Sequence, residues 1–139
     1  RPIQRTDTVA CADIVGDNWA PTVALRFHAE IMEAFRPNGH VYYVAEDRGK
    51  IVGFAGMMAS HLMYGIWDFI WINVHADYQG RGIGKMLTEH RIREVLQRDG
   101  RAIHLMTLHP AFFEHFGFSV AKDYGDWKLM TAHLGQIGI

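Results

Sequence analysis

Hydrophobic residues in the first quarter of the chain recur at three- and four-residue steps. Val23, Phe27 and Ile31 fall on one helical face at this spacing, so residues 7–35 predict one or two helices. The glycine and polar residues at 16–18 predict a break between them. The pattern therefore favours a helical segment ahead of the long strands.

The later hydrophobic segments are short and rich in Val, Ile, Tyr and Phe, which is typical of strands. The predicted strands are residues 40–46, 50–59, 64–75, 102–108, 118–121 and 127–133, with 3–5 as a short edge strand. Two helices, 82–99 and 110–117, lie among them. A helix that joins two strands of one sheet implies a parallel crossover. The predicted class is α+β (α/β/α), with helices flanking a mixed, mostly antiparallel central sheet of six or seven strands.

Length, charge and cysteine content narrow the function classes. The 139 residues fit a single domain, residues 1–139. Fourteen Lys and Arg against fifteen Asp and Glu leave no basic excess, so no nucleic-acid partner is expected. No apolar run reaches the length of about 18 residues that a membrane helix needs, and no signal-peptide core follows the first residues. The lone Cys11 excludes an intrachain disulfide, so a cytoplasmic location is expected.

The segment Gln79–Lys85 joins the longest predicted strand to the long helix. It contains three alternate glycines, and glycine lets a backbone approach a ligand without interference from Cβ. The N–H groups at a helix N-terminus favour an anion, so the segment predicts a phosphate site, in particular one for a pyrophosphate. Gln79 and Met86 exclude a P-loop, and Lys85 excludes the dinucleotide-binding fingerprint.

Two motifs carry a more specific signal. Residues 79–84 (Q-G-R-G-I-G) have the pattern Q/R-x-x-G-x-G/A, and residues 111–118 (A-F-F-E-H-F-G-F) are similar to A-x-F-Y-E-x-x-G-F. Together they resemble the GNAT superfamily of acetyl-CoA-dependent N-acetyltransferases. The predicted order of helices and strands is also that of the superfamily, so the resemblance covers nearly the whole chain and implies a GNAT-like domain.

The resemblance implies that acetyl-CoA is the co-substrate. Backbone groups of Ile72, Asn73 and Val74 would pair with the pantetheine arm, as an added strand would. The Val74 N–H would polarise the thioester carbonyl and stabilise the developing oxyanion. The pyrophosphate would bind to the glycine loop, which consists of Gln79, Gly80, Arg81, Gly82, Ile83, Gly84 and Lys85.

Basic residues on the following helix have two interpretations. Lys85, Arg91, Arg93 and Arg98 would add positive charge near the 3′-phosphate of the nucleotide. For the three arginines, a solvated helix face is the alternative.

Asp68 is the candidate general base. An alkylammonium must lose a proton before its nitrogen can attack a thioester, which a carboxylate of raised pKa can assist. Asp68 is the only acid in residues 66–74, and several family members carry a catalytic glutamate six residues before the position of Val74. The alternatives are an aspartate at an exposed strand end, or one that only binds the ammonium of the substrate.

The group that protonates the leaving thiolate is left open. The family often uses the tyrosine of the second motif, where this chain has Phe113, which cannot donate a proton. His109, Tyr124 and His115 are the candidates among side chains, and water is the alternative, since a thiol pKa near 8.5 makes a tolerable leaving group. His109 also has a plain interpretation as a loop or cap residue.

The predicted activity is acetyl transfer from acetyl-CoA to a primary amine of a small molecule or amino acid, by direct attack in a ternary complex. The alternatives are a non-catalytic acyl-CoA-binding sensor, favoured by Phe113, and an acetyltransferase for peptide or protein amines. The histidines lack metal-site spacing and cysteine partners, so no metal is expected. A homodimer formed through C-terminal strands is plausible, and the sequence does not identify the acceptor.

Overall fold

The computed structural model describes residues 1–37 and 39–136, and its elements follow the predicted order. The helices are α1 (Thr8–Asn18), α2 (Pro21–Ile31), α3 (Ile83–Gln97) and α4 (Pro110–Glu114). The strands are β1 (Val41–Asp47), β2 (Lys50–Ala59), β3 (Ile66–Val74), β4 (Ala102–Thr107), β5 (Ser119–Tyr124) and β6 (Trp127–His133). The bounds of β2 and β6 are those the sequence predicts.

The six strands form one mixed sheet in the order β1-β2-β3-β4-β6-β5. The α3 connection makes β3 and β4 parallel, which is the predicted crossover, whereas β4 with β6 and β5 with β6 are antiparallel. The parallel ladder pairs Ile66–Asp68 with Ala102–His104, while β3 itself continues to Val74. The sheet therefore carries Asp68 at the end of that ladder and Val74 at the end of the strand.

The helical segment breaks slightly later than predicted. The helix α1 ends at Asn18, and Ala20 is extended (φ −163°) before Pro21 opens α2. Proline suits the first helical position because its fixed φ is helical and its missing N–H would have no partner inside the helix. The turn from α1 to α2 leaves Asn18 and Trp19 at the C-terminal end of α1.

The predicted edge strand at residues 3–5 is wrong. Pro2 forms an isolated β-bridge with Tyr43, and a 3-10 turn starts at Arg5 instead. The Asp7 carboxylate accepts a hydrogen bond from the Gln4 N–H at 2.7 Å and binds the Arg1 guanidinium, with the shortest contact at 2.8 Å. This local capping by Asp7 begins helical structure where the hydrophobic pattern alone favours a strand.

Contacts within the chain divide it into two compact units. The first comprises Arg1–Gly56 with Trp71–Thr88. Its core contains Phe27, which is fully buried and lies edge-on to the rings of Tyr42 and Trp71, with centroids 6.3 and 5.0 Å away. The chain's one cysteine, Cys11, is also fully buried here, and burial raises the pKa of its thiol to about 12.

The second unit comprises Met57–Ile70 and the chain from Glu89 onwards. Its core includes Phe69, Phe113 and Phe118. The ring centroid of Phe118 lies 6.2 Å from that of Phe69 and 5.7 Å from that of Phe113. Arg91 is 1% exposed and its guanidinium lies 4.0 Å from the centroid of the Phe69 ring. Arg91 is therefore not on a solvated helix face, so that interpretation is wrong for Arg91, and its contribution of charge near the 3′-phosphate stays a prediction.

Within the described ranges 1–37 and 39–136, no helix combines the length and the apolar character that crossing a lipid bilayer requires.

Candidate active site

The glycine loop adopts a backbone conformation that glycine makes accessible. Gly80 and Gly82 have φ of +78° and +84°, in the left-handed region that other residues enter only at a cost in energy. A Cβ built on either glycine would meet no atom within 4 Å, so the requirement is conformational rather than steric. The loop therefore has space beside its backbone.

The helix α3 begins at Ile83, so the last three residues of this loop form its first turn. Its early turn is closed by the Met86 N–H, which donates to the Gly82 carbonyl at 3.0 Å. The N–H groups that precede this bond belong to the first turn and have no acceptor within the helix itself. Such groups, together with the positive end of the helix dipole, bind phosphate oxygens. This geometry fits the pyrophosphate of acetyl-CoA.

Positive charge accompanies the loop. The Arg81 guanidinium lies 4.9 Å from the centroid of the Tyr78 ring, and the Lys50 ammonium lies 5.5 Å from the same centroid. Arg81 and Lys85 are both exposed. Their charge suits an anionic ligand on the solvent side of the loop.

The loop is tied to the end of β3 by a side chain. Gln79 Nε2 donates to the Val74 carbonyl at 3.1 Å, and Asn18 Nδ2 donates to the same oxygen at 3.0 Å. The His75 N–H donates to the Val52 carbonyl at 2.8 Å, so the Val74–His75 peptide is held at both ends. The Val74 carbonyl thus has protein partners, whereas the predicted contact of Val74 with a thioester uses its N–H.

Asn73 forms a second anchor next to Val74. Its side chain is buried, and its Oδ1 accepts hydrogen bonds from Asn18 Nδ2 at 3.2 Å and from Trp19 Nε1 at 3.1 Å. The neighbouring Ile72 is half-buried. The structure thus brings Asn18 and Trp19 to two of the predicted co-substrate positions, and no sequence motif marks either residue.

Trp71 is the strained residue of β3. Its φ is +47°, although it is neither glycine nor asparagine and lies inside a strand. Its indole N–H donates to Glu30 Oε2 at 2.6 Å, and its ring contacts Phe27. These contacts hold a conformation that costs energy, and such residues cluster at functional sites. The sequence contains no signal for it, because the tertiary contacts impose the conformation.

Asp68 lies in the second unit, beside two histidines. It is half-buried and directly opposite His104 in the β3–β4 ladder, which places both side chains on one face of the sheet. Burial raises the pKa of the Asp68 carboxyl, and the nearby His104 and His61 partly offset that rise. A carboxyl shifted in this direction suits proton transfer near neutral pH better than an ordinary aspartate does.

The three side chains considered for the thiolate, His109, Tyr124 and His115, are all exposed, whereas Phe113 at the usual tyrosine position is buried. His109 is exposed, and its backbone N–H donates to Thr107 Oγ1 at 2.8 Å. Tyr124 is 60% exposed and pairs with Trp127 in the β5–β6 hairpin. Phe113 is buried against Phe112 and Phe118. Among the contacts of the described residues, none brings His109 or Tyr124 to Asp68.

The remaining basic residues of α3 and of the turn that follows it make surface ion pairs. Arg93 lies 3.9 Å from Glu89, and Arg98 lies 3.9 Å from Glu94. Exposed pairs of this kind contribute little to stability and leave the charges accessible. In the part of the chain that the structure describes, no three His, Cys, Asp or Glu side chains are grouped to hold a metal ion.

Comparison with known proteins identifies the family. Residues 38–120 match the acetyltransferase (GNAT) domain, which is more than half of the chain. The chain belongs to the GNAT acetyltransferase family. The resemblance carried by the two motifs is thereby confirmed, and acetyl-CoA is the co-substrate of this family.

Two curated GNAT relatives are similar in sequence over part of their length. GCN5-related N-acetyltransferase 2, chloroplastic, of Arabidopsis thaliana is 36% identical over 76 residues, which are 52% of this chain and 28% of the plant protein. Uncharacterized N-acetyltransferase ycf52 of Gracilaria tenuistipitata var. liui is 29% identical over 86 residues, covering 60% of this chain and 46% of the algal protein. The chain thus spans less than half the length of either relative.

Solved GNAT structures share the fold over nearly the whole chain. A GNAT-family protein from Desulfovibrio desulfuricans has a TM-score of 0.87 at 18% identity, covering 96% of this chain and 97% of that one. An aminoglycoside 6′-N-acetyltransferase complexed with coenzyme A has a TM-score of 0.80 at 17% identity, covering 96% of each chain. The ribosomal-protein-alanine N-acetyltransferase from Escherichia coli has a TM-score of 0.79 at 21% identity, covering 96% and 92%. These matches confirm the predicted α+β class with its mixed sheet.

Proposed function

We propose that residues 1–139 act as one N-acetyltransferase domain, which transfers the acetyl group of acetyl-CoA to a primary amine of a small molecule or amino acid. The observation that carries this proposal is the glycine loop, with Gly80 and Gly82 in left-handed conformations directly before α3. Membership of the GNAT family and the tie between the loop and the end of β3 support it. The amine attacks the thioester directly while both substrates are bound.

The first unit supplies the co-substrate contacts in this proposal. Backbone groups of Ile72, Asn73 and Val74 bind the pantetheine arm, and the glycine loop binds the pyrophosphate. Acetyl-CoA supplies an activated acyl group with a thiolate leaving group. The Val74 N–H donates to the thioester carbonyl oxygen, which carries negative charge as the amine adds.

Asp68 is the proposed proton acceptor. The nitrogen of the acceptor must be neutral to attack, and a half-buried carboxylate of raised pKa can take its proton directly or through water. His104 and His61 act electrostatically on this carboxyl and partly offset the rise in its pKa. In this proposal the Asp68 carboxylate alone takes the proton from the amine.

Proton donation to the departing thiolate has no dedicated side chain in this proposal. Phe113 occupies the position where the family often has tyrosine, and it is buried among phenylalanines. Water performs the step, with His109 and Tyr124 as the side-chain alternatives. Both side chains are exposed, so solvent reaches them.

A binding and turnover experiment tests the proposal. Calorimetric titration with acetyl-CoA and with free CoA should show saturable binding, and a panel of amines should then release CoA. The panel should contain amino acids, polyamines, an aminoglycoside and a peptide with an N-terminal alanine, because solved neighbours carry the last two activities in their names. Absence of binding in folded protein would overturn the proposal.

The same experiment separates a second candidate function. Phe113 in place of the usual tyrosine favours a sensor that binds acyl-CoA without transferring the acyl group. Binding without turnover on every amine would support the sensor. Turnover confined to the peptide would instead support an acetyltransferase for protein amines.

A further inference from the structure

One side-chain amide lies against both residues that flank a single backbone peptide. Asn18 Nδ2 donates to Asn73 Oδ1 at 3.2 Å and to the Val74 carbonyl at 3.0 Å. An amide nitrogen carries two hydrogens, so these two acceptors use its full donor capacity. Asn18 thus spans the Asn73–Val74 peptide from one end of α1.

The spanned peptide is the one that carries the Val74 N–H. On its N-terminal side, Asn73 is held through its side chain by Asn18 and also by the Trp19 indole N–H. On its C-terminal side, the Val74 carbonyl is held by Asn18 and Gln79. The next N–H, that of His75, donates to the Val52 carbonyl. Rotation of the Asn73–Val74 peptide is therefore opposed on both sides.

The direction of this N–H matters for the proposed reaction. An oxyanion donor is effective when it already points at the place where negative charge develops. A small misplacement reduces the rate of the chemical step, even when the substrate still binds. A residue that fixes the direction therefore affects kcat more than it affects co-substrate binding.

We propose that Asn18 is a positioning residue for acyl transfer, which holds the Asn73–Val74 peptide so that the Val74 N–H points at the thioester carbonyl oxygen. The inference rests on the proposed function. Trp19 assists by holding Asn73, and Gln79 couples the same carbonyl to the pyrophosphate loop. Asn18 itself touches neither reacting atom in this assignment, so it acts through Val74.

The test compares Asn18→Ala with Asp17→Ala. Asp17 is the exposed neighbour on α1, so it provides the same truncation outside the network. Asn18→Ala should lower kcat by about 10- to 100-fold. Its KM for acetyl-CoA should change by less than about threefold, since the binding contacts remain. Asp17→Ala should retain both values.

A second measurement does not depend on turnover. The amide resonance of Val74 should shift more with acetyl-CoA than with free CoA, because only acetyl-CoA presents a carbonyl oxygen to this N–H. Asn18→Ala should reduce that difference, whereas Asp17→Ala should keep it. Unchanged kcat, a raised KM with normal kcat, or an undiminished resonance difference would each overturn the role of Asn18.

Two further outcomes keep the inference separate from the proposed function. Wild-type protein that binds neither ligand would overturn the proposed function and this inference with it. Wild-type protein that binds without turnover would overturn the catalytic proposal and with it the role of Asn18 in acyl transfer, and the Val74 resonance would then decide only whether Asn18 directs this N–H toward the bound thioester. Should Asn18→Ala fail to fold, Trp19→Phe removes the indole N–H that donates to Asn73 together with part of the ring, and an unchanged kcat and resonance difference in that variant would overturn the network.

Discussion

The glycine loop in the first unit and Asp68 in the second owe their chemistry to different causes. The groups of the loop that are proposed to bind the anion are backbone N–H groups, and glycines in left-handed conformations next to the start of α3 set their directions. Asp68 is one side chain whose proton affinity depends on partial burial and on two histidines from other segments. The loop is thus a local structure, whereas the Asp68 environment is assembled by the sheet and the β2–β3 connection.

This difference predicts how each region responds to mutation. Backbone groups cannot be deleted by a side-chain substitution, so the loop is sensitive mainly to changes in its conformation. A carboxyl can be removed by one substitution without altering the backbone. The substitutions of Asp68 and Gly82 use that contrast, and each is compared with a control from the same unit or with the same conformation.

The largest effect is expected for Asp68→Asn. Loss of a general base reduces kcat/KM by about 100-fold or more. In the wild type, kcat/KM should rise with pH through the Asp68 pKa, because only the carboxylate accepts a proton, and burial places that pKa above the ordinary aspartate range. The variant should lose this acid limb in a pH–rate profile.

Asp99→Asn is the matched control for that change. Asp99 is exposed, and its φ of +57° is a conformation that asparagine also tolerates. It should retain the rate and the acid limb. Wild-type activity in Asp68→Asn would remove Asp68 from the mechanism and leave it as a substrate-binding or structural carboxyl.

An intermediate effect is expected for Gly82→Ala. A left-handed conformation costs a non-glycine residue about 1–2 kcal/mol, so the loop would shift or lose stability, and CoA affinity should fall by about tenfold. Gly49→Ala is the control, because Gly49 has a φ of +82° and equally open space, but lies in the β1–β2 turn. Calorimetry should show weaker CoA binding only for Gly82→Ala, and equal weakening in both would attribute the effect to general stability.

A smaller effect concerns the pH dependence of stability. Since burial raises the pKa of Asp68, the folded chain binds this proton more tightly than the unfolded chain does. The contribution of Asp68 to stability is therefore greatest below the unfolded pKa of about 3.9 and falls as pH rises through the folded pKa. Asp68→Asn should raise the melting temperature slightly near neutral pH. The corresponding gain in the free energy of unfolding should be less than about 1 kcal/mol, because the group is partly exposed. A lower melting temperature at every pH would contradict this sign.

The smallest effect on rate is expected for Phe113→Tyr. Water suffices to protonate a thiolate whose conjugate acid has a pKa near 8.5, so kcat should change by less than about twofold. The new hydroxyl would lie in a buried phenylalanine cluster and should lower the melting temperature. A tenfold gain in kcat, measured by CoA release, would instead show that proton donation limits the wild-type enzyme.

Most of the fold is predictable because its signals are local. The β-branched and aromatic runs give β2 and β6 with the bounds observed, and the parallel crossover follows from the helix between two strands. The strand at 3–5 is wrong because the Asp7 cap is a side-chain effect that hydrophobic pattern does not report. The burial of Arg91 had a signal: Leu87, Arg91 and Val95 recur at four-residue steps, so Arg91 lies on the buried face of α3.

The candidate site is predictable only in part. Gly80 and Gly82 indicate the loop because few other residues suit their conformation, and the roles of Asp68, His109 and Tyr124 stay predictions. Asn18, Trp19 and the strained Trp71 could not be found from the sequence, since their partners lie 41 to 56 positions away along the chain. Side-chain hydrogen bonds over such separations leave no periodic pattern.

The reactivity of the Cys11 thiol reports whether the first unit is folded. The thiol is fully buried, and at a pKa of about 12 almost none of it is thiolate near neutral pH, so the native chain should resist alkylating and disulfide reagents. A colorimetric thiol reagent would then record the CoA released by turnover with no background from the enzyme. Reaction of Cys11 would begin only when α1 leaves the core, so the rate of its labelling measures how often the first unit opens.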